Sequence, residues 1–582
     1  MRFFTCAAVL FLLGASGTVC AKALSYTVEG VHSKLERNIV AWIGVEPQTN
    51  SERTVFLGRL DERVRNGLQA QGYYRAGIET FIDKTHSEWQ LVISISPNDP
   101  AILSRVDIRL TGQAQESPQF NELLANNPLR PGDQLDHGRY EAFKKSLLSL
   151  GQKLGYFDGK YTVHRVEVNP DDNTASVELA YDSGPRYRFG ELQYDTQQVD
   201  VALIDSLRSF KRGDYFDLAL LQRFQTQLQQ TRFFSSVVLT PRVAEAVDQQ
   251  VPVLLKLYPA QRHSFDVGAG FSTDTEERVS LTWRSPKLNR YGHSQETRLE
   301  YSSINPSGRV TYNIPLRHPL NDVLQLSARL EDNEFGDIDS QQKELAVRRE
   351  IKSAEGWIRS YFLRSLNESW QLNGLHNDNF YLLPGITLAH KIRRGPLVDP
   401  IRGFSQLYRV EGGDENLGSD IDLLRLYGNF TYVTTPAARH RVVVRAELGA
   451  VFIADSDRKD LAPSLGFFAG GSQSIRGYGY QSLGNEVIVA ARDGTLTSLT
   501  VAGDRLLTTS LEYQYYVNET WRGAVFVDAG DAFDEGEFDI NVGVGFGVHY
   551  LTPVGAIKIE LANGVTDDDP SWRLHINIGA EF

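Results

Sequence analysis

The chain has 582 residues, 41% of them hydrophobic, and its 73 acidic and 60 basic side chains give a formal net charge of −13. That acid excess argues against a general nucleic-acid binder, because such binding is dominated by neutralisation of phosphates. The only cysteines are Cys6 and Cys20, which excludes thiolate catalysis and Cys-ligated metals from the rest of the length.

Arg2, the apolar run Ala7–Gly14 and the small residues ending at Ala21 predict a secretory leader over 1–21. The run is far short of the roughly 20 apolar residues a membrane helix needs. Both cysteines leave with the leader, so the exported chain reaches an oxidising compartment without disulfides.

A strand, helix, strand pattern then recurs three times. YTVEGV (26–31) leads through the helical LDERVRNGLQAQ (60–71) to WQLVISISP (89–97). SRVDIRLTG (104–112) leads through 140–157 to TASVELAYDSGP (174–185). YRFGELQY (187–194) leads through 218–234 to VPVLLKLYP (251–259). Gly30, Gly112 and Gly190 precede the aromatics Tyr73, Tyr156 and Phe233 by 43, 44 and 43 residues. The recurrence predicts three small α/β modules, each with an apolar helix face packed on a sheet. Their joints at 97–100, 183–186 and 258–262 are short, which predicts a semi-rigid arm.

From about residue 262 the period changes to two. Trp572, Leu574, Ile576, Ile578, Ala580 and Phe582 share one face, as do Leu507, Thr509, Leu511, Tyr513, Tyr515 and Val517. Ser510, Glu512 and Gln514 take the opposite face, and Lys558 and Glu560 oppose Ile557, Ile559 and Leu561. About 16 such segments fit into 262–582, the scale of a barrel with one face to lipid and one to a polar lumen. A soluble sandwich would alternate too, but aromatics such as Tyr515, Trp521, Tyr550 and Trp572 sit near segment ends, as interface girdles do.

The stretch from Leu461 to Gly503 breaks this rhythm; it reads as part of a strand followed by a long loop rich in glycine. Within it, Arg476 predicts a specific contact on the inner wall. Parity in WRGAVFVDAG (521–530) sends Trp521, Gly523, Val525 and Val527 to lipid and Arg522, Phe526 and Asp528 inward. An Arg476–Asp528 pair, with Phe526 beside it, would pin the loop inside the barrel.

GGSQSIRGY (470–478) and FVDAG (526–530) together resemble the Omp85 superfamily of outer-membrane assembly and translocation proteins. Residues 542–562 resemble its closing strands and Phe582 its C-terminal insertion signal. PIRGFSQL (400–407) lacks the GGxxS lead and the long following loop, and reads as the start of a strand. The resemblance implies α/β periplasmic POTRA repeats followed by a 16-stranded antiparallel transmembrane β-barrel in a Gram-negative outer membrane. Its domains would be POTRA modules at 22–99, 100–184 and 185–260 and a barrel at 261–582, with an inward-folded loop at about 466–503. Arg476, Gly477 and Tyr478 on the loop, with Phe526, Asp528 and Gly530 on the wall, would form the lock. Three modules rather than five point to the TamA branch, the outer-membrane part of the translocation and assembly module.

That branch implies a non-enzymatic factor without cofactor or metal that assists autotransporter assembly. Its implied partners are a TamB-like periplasm-spanning protein, unfolded outer-membrane clients and outer-membrane lipid, with no nucleic acid. The first barrel strand, about His263–Ser272, would pair with the last, Trp572–Phe582, at a seam that opens laterally. His263, Phe265, Val267, Leu574, Ile576, Ile578 and Phe582 would line that seam. The glycines of 543–547 read as a thin or deformable wall. The alternative is a passive channel with accessory periplasmic domains. A hydrolase lacks its motifs, for no G-x-S-x-G, HExxH or P-loop is present.

Overall fold

The structure, a computed structural model, describes residues 23–194, 199–372, 375–396, 398–490, 496–553, 555–567 and 569–579. The expected leader at 1–21 and Phe582 lie outside them. Three modules share one plan. In the first, strand Leu24–Glu29 is followed by helices Ser33–Ile43, Asn50–Gly58 and Leu60–Ala70, then strands Gly77–Asp83 and Trp89–Ser96. The last strand takes the middle of the sheet, parallel to the first and antiparallel to the second. Strands Ile102–Thr111, Lys160–Asn169 and Thr174–Asp182 repeat that order, as do Arg188–Tyr194, Phe234–Pro241 and Gln250–Pro259.

Periodicity explains the helices. His137–Leu154 buries Tyr140, Phe143, Leu147, Gly151 and Leu154, one stripe at three- and four-residue spacing. Asp136 caps its start by accepting from the Arg139 N–H, and Gly155 ends it at φ +87°. Tyr73, Tyr156 and Phe233 are all buried just beyond the last helix of their modules. The glycine half of the recurrence is less regular. Gly30 and Gly112 follow their strands at positive φ, whereas Gly190 lies inside a strand, against the Val251 backbone. The reading also missed Gly77–Asp83, Lys160–Asn169 and Phe234–Pro241. These sit at sheet edges with largely exposed side chains, so their alternation is faint.

The joint between the first two modules is hydrogen-bonded rather than loose. Gln134 Nε2 donates to Gln71 O at 2.6 Å, and Asn173 Nδ2 donates to Asp99 O and Pro100 O at 3.0 and 3.1 Å. Tyr74 Oη lies 2.7 Å from His137 Nε2. Burial holds His137 below the ordinary histidine value, outweighing Asp136 and Glu141. Between the depressed value and 6.5 the unfolded chain therefore binds more protons than the folded one, so stability rises with pH across that window. Amide protection around Tyr74 in the full chain is expected to fall on acidification from pH 7.5 to about 5.5, and His137→Gln to flatten the dependence. Unchanged protection would remove His137 from the joint.

The second half closes into a barrel of 16 strands, from Ser264–Ser272 to Trp572–Gly579. Its alternation follows the predicted parity: Leu511, Val525, Phe546 and Ile559 are exposed on the wall, while Glu512, Phe526 and Glu560 are buried inside. PIRGFSQL enters strand Arg402–Gly413. Between strands His440–Ile453 and Arg505–Tyr516 runs the long loop, which contains a hairpin of Asn485–Ala490 and Leu496–Val501. Residues 461–469 form no barrel strand; Phe467 and Ala469 instead make single bridges to Gly503 and Leu483.

The lumen is not polar throughout. Loop residues Ala462, Leu465, Phe467, Ile475 and Tyr478 form a core with Leu366, Trp370, Tyr381, Leu383, Val451 and Leu506 of the wall. These inward apolar residues blur the expected polar face, because the loop supplies them with a protein interior.

Candidate functional site

Gly470, Gly471 and Gly477, all near φ +98°, let the loop turn tightly enough to present Arg476 sideways to the wall. Its Nε and Nη2 donate to Asp528 Oδ2 and Oδ1 at 2.7 and 2.9 Å, a bidentate fork, and its own backbone N–H adds a third bond at 3.0 Å. The guanidinium lies 3.3 Å from the Phe526 ring centroid. Arg476 is 1% exposed and Asp528 is fully buried.

The wall offers more than the one carboxylate. Nη1 also donates to Glu512 Oε2 at 2.7 Å and to Glu560 Oε1 at 3.1 Å, and Nη2 to Ser510 Oγ at 3.2 Å. Parity had turned these residues inward, but which of them meets Arg476 depends on how three strands align across the barrel. His549 Nε2 lies 2.8 Å from Glu560 Oε1. Glu512, His549 and Glu560 bring their ligand atoms within 4.8 Å of one another, a spacing open to a metal ion. The Arg476 guanidinium already supplies both carboxylates with a cation.

The glycines of the wall are seats. A Cβ on Gly543 would stand 1.8 Å from the Arg476 carbonyl oxygen, and one on Gly545 would stand 2.4 Å from the Phe526 ring. Gly530, at φ +151°, would meet the Leu507 carbonyl oxygen at 2.0 Å. The thin-wall reading of 543–547 therefore gives way to close packing: the missing side chains make room for the loop, for Phe526 and, at Gly547, for Glu560.

The loop also holds both sides of the barrel closure. Ser472 donates from N and Oγ to Asp274 Oδ2, at 2.7 and 2.6 Å, in the turn after the first strand. Gly477 N–H donates to His575 Nε2 on the last strand at 3.1 Å, and Tyr478 Oη lies 2.8 Å from Thr566 Oγ1. Sequence reasoning missed Asp274 and His575. Their only signal was inward placement, with nothing to show that they face one loop.

Part of the closure lies among the described residues. The first strand pairs with its sequence neighbour at nine positions, Ser264↔Arg284 to Ser272↔Glu276. With the last strand it pairs only at Ser272↔Asn577 among the described residues. Beyond that, Thr273 N–H donates to Ile576 O at 3.2 Å and Ile576 N–H to Thr273 Oγ1 at 3.3 Å. Residues 580–582 lie outside the described residues, so the expected pairing of His263–Ser272 with Trp572–Phe582 is described only at its Ser272 end. Ile576 of the last strand thus lies beside Thr273, in the turn after the first strand. Phe265 and Val267 are 63% and 77% exposed, and Leu574 and Ile578 also face outward. His263 precedes the first strand and accepts from Trp283 Nε1 at 3.2 Å, so it belongs to the neighbouring hairpin.

Comparison with known proteins matches residues 261–582 to the Omp85 superfamily domain, and residues 25–97 to POTRA domain TamA domain 1. Among solved structures the chain is similar to BamA from Haemophilus ducreyi lacking POTRA domains 1–3, with TM-score 0.71 and 14% identity over 82% of this chain and 99% of that one. It also matches CdiB from Acinetobacter baumannii, with TM-score 0.45 and 15% identity over 91% of this chain and 98% of that one. For CdiB from Escherichia coli the TM-score is 0.44 and the identity 11%, over 91% and 99%.

Proposed function

Because the chain belongs to the Omp85 superfamily, whose members act without catalysis in outer-membrane protein biogenesis and translocation, we propose that it is a TamA-type factor whose lumenal loop latches a lateral seam. The barrel lies in the outer membrane and the POTRA region in the periplasm. One observation carries the reading: the closure, with one strand-register pair among the described residues, is bridged by a loop hydrogen-bonded to Asp274 on one side and His575 on the other. Withdrawal of the loop removes its hydrogen bonds from both sides of the seam. Opening of the seam would then offer the edge of the first strand to a client strand by backbone pairing. Clients on this reading are unfolded autotransporters and related outer-membrane proteins. The TamA-type first module and the count of three modules favour coupling to a TamB-like inner-membrane partner.

A disulfide across the seam tests this. Residues paired across antiparallel strands have Cα atoms about 4.5–5.5 Å apart, within disulfide reach. Cysteines placed at Ser272 and Asn577 are therefore expected to crosslink on oxidation. Autotransporter assembly by cells carrying the oxidised barrel should fall about tenfold or more and return with reductant. Full assembly by the locked barrel would sink the lateral seam and leave the periplasmic modules as the working part.

A further inference from the structure

A second charged cluster in the lumen lies apart from Arg476 and touches the loop through Arg425, whose Nε donates to Leu465 O at 2.9 Å, and through Ser464. Arg309, Arg329, Arg348, Arg364, Arg409 and Arg425 line one cavity of about 400 Å³. Three carboxylates serve them. Arg329 pairs with Glu331 and, at 3.1 Å, with Glu344; Arg364 reaches Glu344 at 3.1 Å and forks onto Glu411 at 2.9 and 3.1 Å; Arg425 reaches Glu411 at 3.1 Å. Those contacts engage every acid with Arg329, Arg364 and Arg425. Among the described residues Arg309, Arg348 and Arg409 have no ion pair or hydrogen bond, and Arg348 keeps only a ring contact, 5.5 Å from the Phe362 centroid. Six guanidinium groups against these three carboxylates leave an excess of three positive charges, which Glu350 near Arg348 offsets in part.

That excess is placed where it costs stability. Arg298, Arg309 and Arg329 stand directly opposite one another on three adjacent strands, and like charges so placed destabilise a sheet. Arg348 feels the repulsion of both Arg409 and Arg309, set against the attraction of Glu344 and Glu350. The Nε atoms of Arg329 and Arg409 are buried without an acceptor, a cost that a buried donor escapes only by finding a partner. All this sits in a chain whose overall charge is −13. Among the described residues the only aromatic side chains on the cavity wall are Phe335 and Phe362, too little apolar lining to seat a peptide segment.

We propose that this cavity is a binding site for a phosphate-bearing anion, held by the forks of Arg309, Arg348 and Arg409. Planar guanidinium groups match phosphate oxygens two at a time, and three of them match the charge of a pyrophosphate or a phosphorylated headgroup. Arg309, Arg348 and Arg409 make none of the contacts of Arg476, Asp274 or His575, so the inference does not depend on the seam reading.

The test uses the full-length protein in maltoside micelles, which carry no phosphate, titrated calorimetrically with pyrophosphate and with chloride at matched ionic strength. Wild type should bind pyrophosphate specifically. The triple variant Arg309→Gln/Arg348→Gln/Arg409→Gln should bind it about a hundredfold or more weakly, roughly tenfold or less per fork removed. These three make no ion pair within the barrel, so the variant should keep the heat-shifted gel mobility of a folded barrel. Arg348→Gln alone supplies a milder check, with an intermediate loss. A parallel titration with a water-soluble short-chain phosphatidylglycerol distinguishes the sources: tighter binding than pyrophosphate assigns a lipid headgroup, weaker binding a free phosphate. Equal affinity in wild type and triple variant, a chloride response matching that of pyrophosphate, or binding of an acidic peptide alone would overturn the site.

Discussion

Arg476→Ala is expected to release the loop from the lumen and to abolish client assembly. The substitution leaves Asp528, Glu512 and Glu560 buried around an empty seat, with no guanidinium between them. Removing one partner of a buried pair costs about 3–5 kcal/mol, because the remaining charge has lost its solvent and its counter-ion together. At 1.4 kcal/mol per factor of ten, the seated state loses more than about a hundredfold in population. External protease should then cleave within the loop of the intact cell, and the folded barrel should unfold at lower temperature on gels. Arg476→Lys keeps the charge but not the fork, so it should restore only part of the protection. Wild-type protease resistance together with wild-type assembly in Arg476→Ala would show that the latch holds nothing.

Gly543→Ala should reproduce that loss without touching a charge. The added methyl would overlap the Arg476 carbonyl oxygen at 1.8 Å, and that oxygen belongs to backbone that cannot rotate aside. Either the loop lifts or the wall shifts, and a wall strand hydrogen-bonded on both sides is the stiffer of the two. The expected result is a protease-sensitive loop and a loss of assembly within about tenfold of Arg476→Ala, from overpacking of the kind that costs 1–3 kcal/mol or more. Gly523→Ala, on the neighbouring strand with nothing within 4 Å of its added methyl, is the matched control and should be silent. Equal behaviour of the two variants would refute the seating role of Gly543.

The barrel was legible because lipid on one face and a lumen on the other force an alternation at period two, and the chain keeps it from Ser264 to Gly579. Arg476 and Asp528 were legible together, since a glycine-rich loop with one arginine and an inward aspartate on a nearby strand leave few pairings. Glu512, Glu560 and His575 were not. Parity turns all three inward, but barrel closure and shear decide which inward residues meet, and those are properties of sixteen strands at once. The same limit explains the seam: the pairing of Ser272 with Asn577 follows from the stagger around the whole ring, which no single segment encodes. In the modules, the central strands announced themselves by burial on the helix face, while exposed edges such as Gly77–Asp83 left little trace.

The apolar core inside the lumen has a consequence for leakage. Leu366, Trp370, Tyr381 and Leu383 are covered by Phe467, Ile475 and Tyr478, so this part of the conduit is a dry protein interior and not a water column. A small solute cannot pass there by diffusion alone; local unfolding must come first. Bile salts and antibiotics outside the cell thus meet a barrier whose height is set by cooperative packing, and each opening for a client carries the transient risk of admitting them.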